Sequence, residues 1–151
     1  MSRLPSLAQC WNPGTGVSGL LEHAAQVSPN APYLEDRYGT AYSYADTRDQ
    51  VLRLAGYLRA AGVERGDRVA IHMGNRVEIA IALYAASYLG AIYVVLNSKL
   101  KPKGLSKIIN QAEPRAIVLD ESTFENLEDS EAIPIRLVIS ESSPERGWKL
   151  W

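Results

Sequence analysis

The sequence is poor in cysteine and has almost no net charge, and each shortage excludes a class of protein. One cysteine among 151 residues excludes an internal disulfide and predicts a reducing compartment, the cytoplasm. Its 16 basic and 17 acidic side chains leave a formal net charge of −1. No overall field attracts nucleic acid or an anionic membrane, so neither is expected as a partner.

Long unbroken apolar segments are also missing. Residues 1–11 lack the apolar core of a secretory signal. The most apolar stretch, Val77 to Leu96, is interrupted by Gly90 and by tyrosines, and it is typical of a helix followed by a strand. A membrane helix needs about 20 apolar residues in one helical segment. No transmembrane segment is therefore expected.

No glycine-rich loop carrying a lysine follows any predicted strand. A phosphate loop needs backbone N–H groups at a strand-to-helix junction together with a cation. The stretch from Gly14 to Gly19 has the only similar composition, but it precedes a helix and carries no lysine. We interpret it as a flexible lead-in. An independent nucleotide-binding α/β domain is thus a weaker hypothesis, although it stays open.

The first half of the chain carries helix and turn signals. Apolar residues from Val17 to Ala25 recur with helical spacing and predict an amphipathic helix. Two short strands are predicted as a hairpin around Tyr38-Gly39. Ser43 and Asp46 have the spacing of a capping box, which predicts a second helix. Gly62 supplies the left-handed residue that ends this helix.

The second half alternates short apolar strands with helices. Helices are predicted from Arg76 to Leu89 and after Pro102, and Asn75 is expected to cap the first, with Glu78 in the reciprocal position. The predicted strands are Arg68 to Met73, Ala91 to Leu96, Ala116 to Leu119 and Ile135 to Ile139. The first three are expected to be parallel neighbours, and the second is a continuous apolar run of the kind that parallel sheets bury. The fold class is therefore α/β, a parallel βαβ sheet with flanking helices plus the N-terminal helix and hairpin.

Apolar residues occur in excess of what this chain is expected to cover. The helix from Arg76 to Leu89 is apolar on nearly every face, which is typical of a helix inside a larger body. The chain also ends on Trp148-Lys149-Leu150-Trp151. We expect exposed apolar surface, marginal stability, self-association and binding of the dye ANS unless further polypeptide is supplied. The expected organisation is an irregular lead-in over 1–15, an incomplete subdomain over 16–140, and a loop over 141–151 leading toward missing downstream sequence.

An ordered set of short motifs between Leu20 and Asp120 carries a family resemblance. Gly62-Val63 is followed by Gly66-Asp67-Arg68-Val69-Ala70. The other matching positions are Leu20-Leu21, Ala24-Ala25, Pro29, Ala31, Tyr42 to Asp46, Asn75, Ala85, Leu89-Gly90-Ala91, Leu96-Asn97, Leu105, Ile108-Ile109, Glu113-Pro114 and Ile117-Val118. In this order they resemble the N-terminal portion of the large lobe of AMP-forming adenylating enzymes. That family includes acyl- and aryl-CoA ligases, luciferases and the adenylation domains of peptide synthetases.

The resemblance implies a two-step reaction for a complete family member. A carboxylic acid is activated by Mg-ATP as an acyl-adenylate and is then transferred to the thiol of CoA or of carrier-bound phosphopantetheine. This chain lacks the family's phosphate loop, acidic metal-binding segment, ribose-binding aspartate and small mobile lobe with its catalytic lysine. No catalytic, cofactor-binding or metal-binding residue is therefore assigned, and the chain alone is expected to be inactive.

Two hypotheses about the role of the chain follow from this resemblance. It is either a fragment or split piece of an acid–thiol ligase, whose partner is the rest of the enzyme, or a non-catalytic scaffold or partner-binding module derived from a truncated lobe. Val95 departs from the family pattern, which very often has proline there. Valine leaves a backbone donor that needs a partner, and it is expected to lengthen the strand slightly.

Some polar residues have a functional and a structural interpretation. His72 lies near the carboxyl end of a strand, where it is either a substrate contact or a core histidine. His23 is expected on the polar side of the first helix, at the surface. Lys99, Lys101, Lys103 and Lys107 either meet the phosphates of ATP or CoA or form a solvated helix start.

The remaining candidates are acidic side chains and the cysteine. Asp67, Asp120 and Glu121 lack the spacing of a metal site. Cys10 has no companion histidine in a recognisable arrangement, so a catalytic thiol is not expected.

Overall fold

The computed structural model describes residues 16–124, 127, 133–139 and 148–150. The helices are α1 (Ser18–Val27), α2 (Tyr44–Ala60), α3 (Glu78–Tyr88), α4 (Pro102–Ala112) and α5 (Glu121–Phe124). The strands are β1 (Pro32–Glu35), β2 (Ala41–Ser43), β3 (Arg68–His72), β4 (Ile92–Leu96), β5 (Ala116–Asp120), β6 (Ile135–Ile139) and β7 (Trp148–Leu150). The expectations for the lead-in, for Cys10 and for Trp151 lie outside the described residues.

The hairpin and the second helix form as their local signals predict. Strands β1 and β2 pair in antiparallel fashion, and Gly39 has a left-handed φ of 82° in the turn between them. The Ser43 hydroxyl accepts from the backbone N–H of Asp46 at 3.1 Å, and the Asp46 carboxylate accepts from the backbone N–H of Ser43 at 3.0 Å. Gly62 has a φ of 96° just beyond α2. The capping box and the glycine stop of α2 are both confirmed.

The main sheet has the order β4-β3-β5-β6-β7. Its first four strands are parallel, which confirms that β3, β4 and β5 are parallel neighbours in one sheet. Strand β7 pairs in antiparallel fashion with β6, so part of the predicted C-terminal loop is a strand. The side chains of β7 lie outside the description, and the expected exposure of Trp148 and Leu150 stays a prediction.

Helices cover both faces of the sheet. Alternate residues of β3 contribute to two apolar clusters because successive side chains of a strand point to opposite faces. Val69 and Ile71 pack with residues of α1, α2 and α3, whereas Ala70 packs with residues of α4. No helix in the described part of the chain is long and apolar enough to cross a membrane.

The start of α3 and the burial of β4 differ from the predictions. Val77, not Asn75, is the N-cap residue of α3, and no side chain caps it. The reciprocal cap was wrong because the Glu78 carboxylate is paired with the Arg76 guanidinium instead. The expected burial of β4 was also wrong, because this strand lies at the edge of the sheet and has an exposed, exposed, half-buried, exposed, buried pattern.

Candidate site at the carboxyl edge of the sheet

An open cavity of about 610 Å³ lies where β3 and β5 end side by side. The two strands are in register up to His72 and Leu119, and the chain turns away from the sheet just beyond each of them. The turn of the β1–β2 hairpin lines a further part of the cavity. Its lining residues are Asp36, Arg37, Tyr38, Gly74, Asn75, Arg76, Glu78, Asp120, Glu121 and Ser122. The carboxyl edge of a parallel sheet is where open α/β folds bind their ligands.

The Asp120 carboxylate connects two parts of the cavity lining, the exit of β3 and the start of α5. Its Oδ2 accepts from the backbone N–H of Gly74 at 2.7 Å. Its Oδ1 accepts from the Ser122 hydroxyl at 2.7 Å and from the backbone N–H of Thr123 at 2.9 Å. The Thr123 hydroxyl lies 2.8 Å from the same Oδ1 and 2.7 Å from the carbonyl oxygen of His72. One carboxylate therefore ties the end of β5 to the exit of β3 and to α5.

The charge state of Asp120 follows from these contacts. Burial alone would raise the pKa of the Asp120 carboxyl, which is only 5% exposed. Hydrogen bonds from Gly74, Ser122 and Thr123 favour the ionised form and outweigh burial, so the pKa lies below its usual value. Asp120 is thus a carboxylate at neutral pH, already satisfied by neighbouring donors.

An ion pair between Arg76 and Glu78 lines the same cavity. The Arg76 guanidinium contacts the Glu78 carboxylate through Nε–Oε2 at 2.9 Å and Nη2–Oε1 at 3.1 Å. Its Nη1 also lies 4.0 Å from Asp120 Oδ2. The side chains of Arg76 and Glu78 are 18% and 7% exposed. The pair joins Arg76 of the turn to Glu78, the first residue of α3.

His72 lies directly behind this edge and does not line the cavity. Its side chain is fully buried, and neither ring nitrogen makes a well-formed hydrogen bond among the described residues. Burial lowers the pKa of His72, and the charge of Asp120 and the nearby Leu96 backbone only partly offset this effect. Of its two interpretations, the structure supports the core histidine.

We expect the buried imidazole to make stability depend on pH. An unfolded histidine has a pKa of about 6.5, whereas folded His72 has a lower one. As pH falls below about 6.5, the unfolded chain takes up a proton that the folded chain resists, so the free energy of unfolding decreases. In urea unfolding between about pH 5 and about pH 7.5, a His72→Leu variant should show a shallower decrease. Equal decreases in the two proteins would contradict this assignment.

The other candidates are spread over the molecule. Glu121 lines the cavity beside Asp120, but the Asp67 carboxylate accepts from the backbone N–H of Glu64 and lies near the opposite, amino edge. No group of three metal-ligating side chains occurs within the described ranges. The four lysines are exposed after β4 and on α4, and none lines the cavity.

The environments of His23 on α1 and of Gly16 before α1 differ from what the sequence predicts. His23 is half-buried and its Nε2 is inaccessible, so placing it on the surface was wrong. Gly16, with a φ of 63°, lies beside Ser87, and the backbone N–H of Ser18 donates to the Ser87 hydroxyl at 3.1 Å. The end of the glycine-rich lead-in therefore packs against α3. Gly14 and Thr15 lie outside the described residues.

Sequence reasoning missed the cavity itself. Asp36 and Arg76 were not considered, and Asp120 was weighed only as a metal ligand. The available signal was the position of Gly74 and Asp120 at the ends of two strands that were already expected to be parallel neighbours. Parallel strands bring their carboxyl ends to one edge, so these residues meet there.

Comparison with known proteins supports the resemblance. The sequence model of the family described as "AMP-binding enzyme" matches residues 21–150. Enterobactin synthase component F of Escherichia coli K12 is 32% identical over 118 residues, and 4-coumarate–CoA ligase 2 of rice (Oryza sativa subsp. japonica) is 35% identical over 107 residues. These alignments cover 78% and 70% of this chain. A fatty acyl CoA synthetase of Mycobacterium tuberculosis superposes with a TM-score of 0.71 at 27% identity, covering 80% of this chain.

These relatives are much longer than the region that they share with this chain. The alignments span 9% of enterobactin synthase component F, 19% of the rice ligase and 25% of the mycobacterial synthetase. The shared region is the N-terminal portion of their adenylating unit. The chain belongs to the AMP-binding enzyme family.

Proposed function

We propose that this chain is the N-terminal scaffold of an ATP-dependent, AMP-forming acid–thiol ligase. The family match over residues 21–150 carries the proposal, and two of the relatives are named as CoA ligase or acyl CoA synthetase. The complete enzyme would activate a carboxylic acid as an acyl-adenylate and transfer it to the thiol of CoA or of a carrier. The cytoplasm is the proposed compartment, because a single cysteine suits a reducing environment.

The residues of the candidate site do not fit a nucleoside triphosphate such as ATP. Four carboxylates line the cavity, from Asp36, Glu78, Asp120 and Glu121, against the two guanidinium groups of Arg37 and Arg76. Arg76 is already paired with Glu78. Phosphate groups need positive charge, whereas carboxylates outnumber guanidinium groups among the residues that line this cavity. ATP, Mg²⁺ and the thiol substrate are therefore assigned to the remainder of the enzyme, and no residue of this chain is given a catalytic role.

The proposed contribution of this chain is to brace the edge on which the remaining polypeptide is built. Asp120 ties β5 to the exit of β3, and the Arg76–Glu78 pair joins the turn that follows to α3. Asp120 ends β5 and Glu78 begins α3, and both of these elements contribute residues to the buried apolar clusters. A catalytic constellation needs such support, because small displacements of its supporting residues reduce rates strongly.

A non-catalytic partner-binding module is the second candidate. The exposed apolar side chains of β4 favour it, since an unprotected strand edge is a place where another chain can pair. The two candidates differ in what happens when the rest of an adenylating enzyme is supplied. A scaffold restores adenylation, whereas a separate binding module does not.

Titration with nucleotide tests whether this chain carries its own nucleotide site. We expect calorimetric titration of the full chain with Mg-ATP or AMP to give no saturable heat, because no phosphate loop is present and the cavity is rich in carboxylates. The rice ligase is the positive control under identical conditions. A saturable site of low-micromolar affinity on the chain alone would contradict the scaffold assignment and favour an independent nucleotide-binding domain.

A further inference from the structure

The β1–β2 hairpin is separate from the main sheet and has no buried residue. In the part of the chain that the structure describes, it forms a two-stranded sheet of its own. Residues 32–43, all of which are described, are exposed or half-buried, whereas all five residues of β5 are buried. A two-stranded hairpin alone is marginally stable in water, and segments with few buried contacts open locally at a lower free energy than the core.

The tip of the hairpin is internally ordered. The Asp36 Oδ1 accepts from the backbone N–H groups of Tyr38 and Thr40, each at 2.9 Å. The backbone N–H of Asp36 donates to the carbonyl oxygen of Thr40 at 3.0 Å. The Arg37 guanidinium donates to the Tyr38 hydroxyl at 2.6 Å and lies 4.8 Å from the centroid of the same ring. These contacts allow the tip to move as one body instead of fraying residue by residue.

The two ends of the hairpin meet at its base. The backbone N–H of Tyr44 donates to the carbonyl oxygen of Ala31 at 3.1 Å, and that of Ala45 donates to the carbonyl oxygen of Pro29 at 3.0 Å. These two bonds join the residues that precede β1 to the first residues of α2. A movement of the hairpin therefore needs dihedral changes at only a few residues near this base, as in a hinge.

Tyr33 connects the hairpin to the helices. The register of β1 and β2 shifts between Pro32 and Leu34, so Tyr33 lies at an irregularity of the ladder, where a side chain can be re-aimed. Its ring stacks on that of Tyr44 with centroids 4.5 Å apart, and its hydroxyl lies 2.6 Å from the hydroxyl of Tyr84 on α3. Within the hairpin, Tyr33 is the residue that packs against the apolar cluster of α1, α2 and α3.

We propose that the β1–β2 hairpin opens and closes as one unit over the cavity at the carboxyl edge, and that the contact between Tyr33 and Tyr84 holds it closed. Asp36, Arg37 and Tyr38 at its tip line this cavity, so the position of the hairpin sets the width of the cavity. The main sheet stays folded during the movement, because β3 and β5 have buried apolar side chains on both faces. This movement is independent of the proposed ligase function.

Native-state hydrogen exchange of the full chain tests whether the hairpin opens separately. Its hydrogen-bonded amides, such as that of Asp36, should have protection factors at least about a hundredfold lower than those of β5. Tyr84→Phe removes one hydroxyl of the pair and should lower protection in the hairpin by about three- to tenfold, without a change in β5. Tyr57→Phe is the matched control at a residue 47% exposed on α2, and it should change neither.

The distance between two spin labels tests whether the opening widens the cavity. In a Cys10→Ser background, one label is placed at Thr40→Cys on the tip and the other at Glu121→Cys, and both native side chains are exposed. Tyr33→Ala removes both the stacked ring and the hydroxyl, so it should shift the distance distribution to longer values while β5 keeps its protection. Tyr57→Ala should leave the distribution unchanged.

Three results would overturn the proposal. Equal protection of the hairpin and of β5 in the wild type would show that they open as one cooperative unit. An equal loss of protection in both elements of Tyr84→Phe would show that the hydroxyl pair supports the whole fold. An unchanged distance in a folded Tyr33→Ala chain would show that Tyr33 does not hold the hairpin over the cavity.

Discussion

Replacement of Asp120 by alanine is expected to lower the free energy of unfolding by about 3 kcal/mol. The carboxylate is 5% exposed and accepts from Gly74, Ser122 and Thr123. Its removal leaves the backbone N–H groups of Gly74 and Thr123 without an acceptor, and each unsatisfied buried donor costs about 1–3 kcal/mol. Asp120→Asn should be intermediate, because its single carbonyl oxygen can serve donors on only one side. Urea unfolding at neutral pH measures the free energy of unfolding of the wild type and of the two variants.

Glu121→Ala is the matched control for this prediction. Glu121 is an exposed carboxylate that adjoins Asp120 and lines the same cavity, so its loss should change stability by at most about 0.5 kcal/mol. The pH dependence has a defined sign. The pKa of Asp120 is lower in the folded chain than in the unfolded chain. Its ionisation therefore contributes to the free energy of unfolding at pH above the unfolded pKa of about 3.9, and this contribution is lost as pH falls through the folded pKa. Equal stability of Asp120→Ala and Glu121→Ala would show that this carboxylate does not tie the edge together.

Sequence signals were sufficient to predict the features that depend on residues close together in the chain. The Ser43–Asp46 capping box and the stop at Gly62 involve residues within a few positions of one another, and both were predicted from spacing alone. The parallel arrangement of β3, β4 and β5 followed from the alternation of strands and helices, because right-handed crossovers leave few topologies. These features did not depend on the family resemblance.

Features that depend on tertiary position were not predictable from the same patterns. The apolar run of β4 suits a buried strand, but whether a strand lies at the edge depends on the order of the whole sheet. The cap of α3 failed because the Arg76 guanidinium competes for Glu78, which the spacing rule does not consider. The cavity joins Asp36 of the hairpin to Asp120 of β5, two residues that only the folded chain brings together.

Exchange of the shared segment into a relative is expected to preserve adenylation. Because we propose that this chain is a scaffold and that the remainder performs the chemistry, the 107 residues of the rice ligase that align at 35% identity should be replaceable by their counterparts from this chain. Imperfect contacts between the new segment and the old remainder should cost activity, because displacements of about 1 Å can cost a hundredfold in rate. Activity should nevertheless stay within about a hundredfold of the parent.

An adjacent pair of residues provides matched variants for the chimera. Leu58 is fully buried in the core around α2, whereas Tyr57 is 47% exposed. Leu58→Asp buries an unpaired charge and should abolish activity by unfolding the segment. Tyr57→Asp introduces the same charge at the surface and should have little effect. A loss of activity in both variants would indicate sensitivity to any change and not a requirement for the folded scaffold.

The most direct test of the scaffold assignment is 4-coumarate-dependent exchange of pyrophosphate into ATP, measured for the chimera, for the rice ligase without the segment, and for this chain alone. We expect exchange by the chimera and none by the ligase lacking the segment or by the chain alone. Exchange by the chain alone, or a folded chimera as inactive as the ligase lacking the segment, would contradict the scaffold assignment.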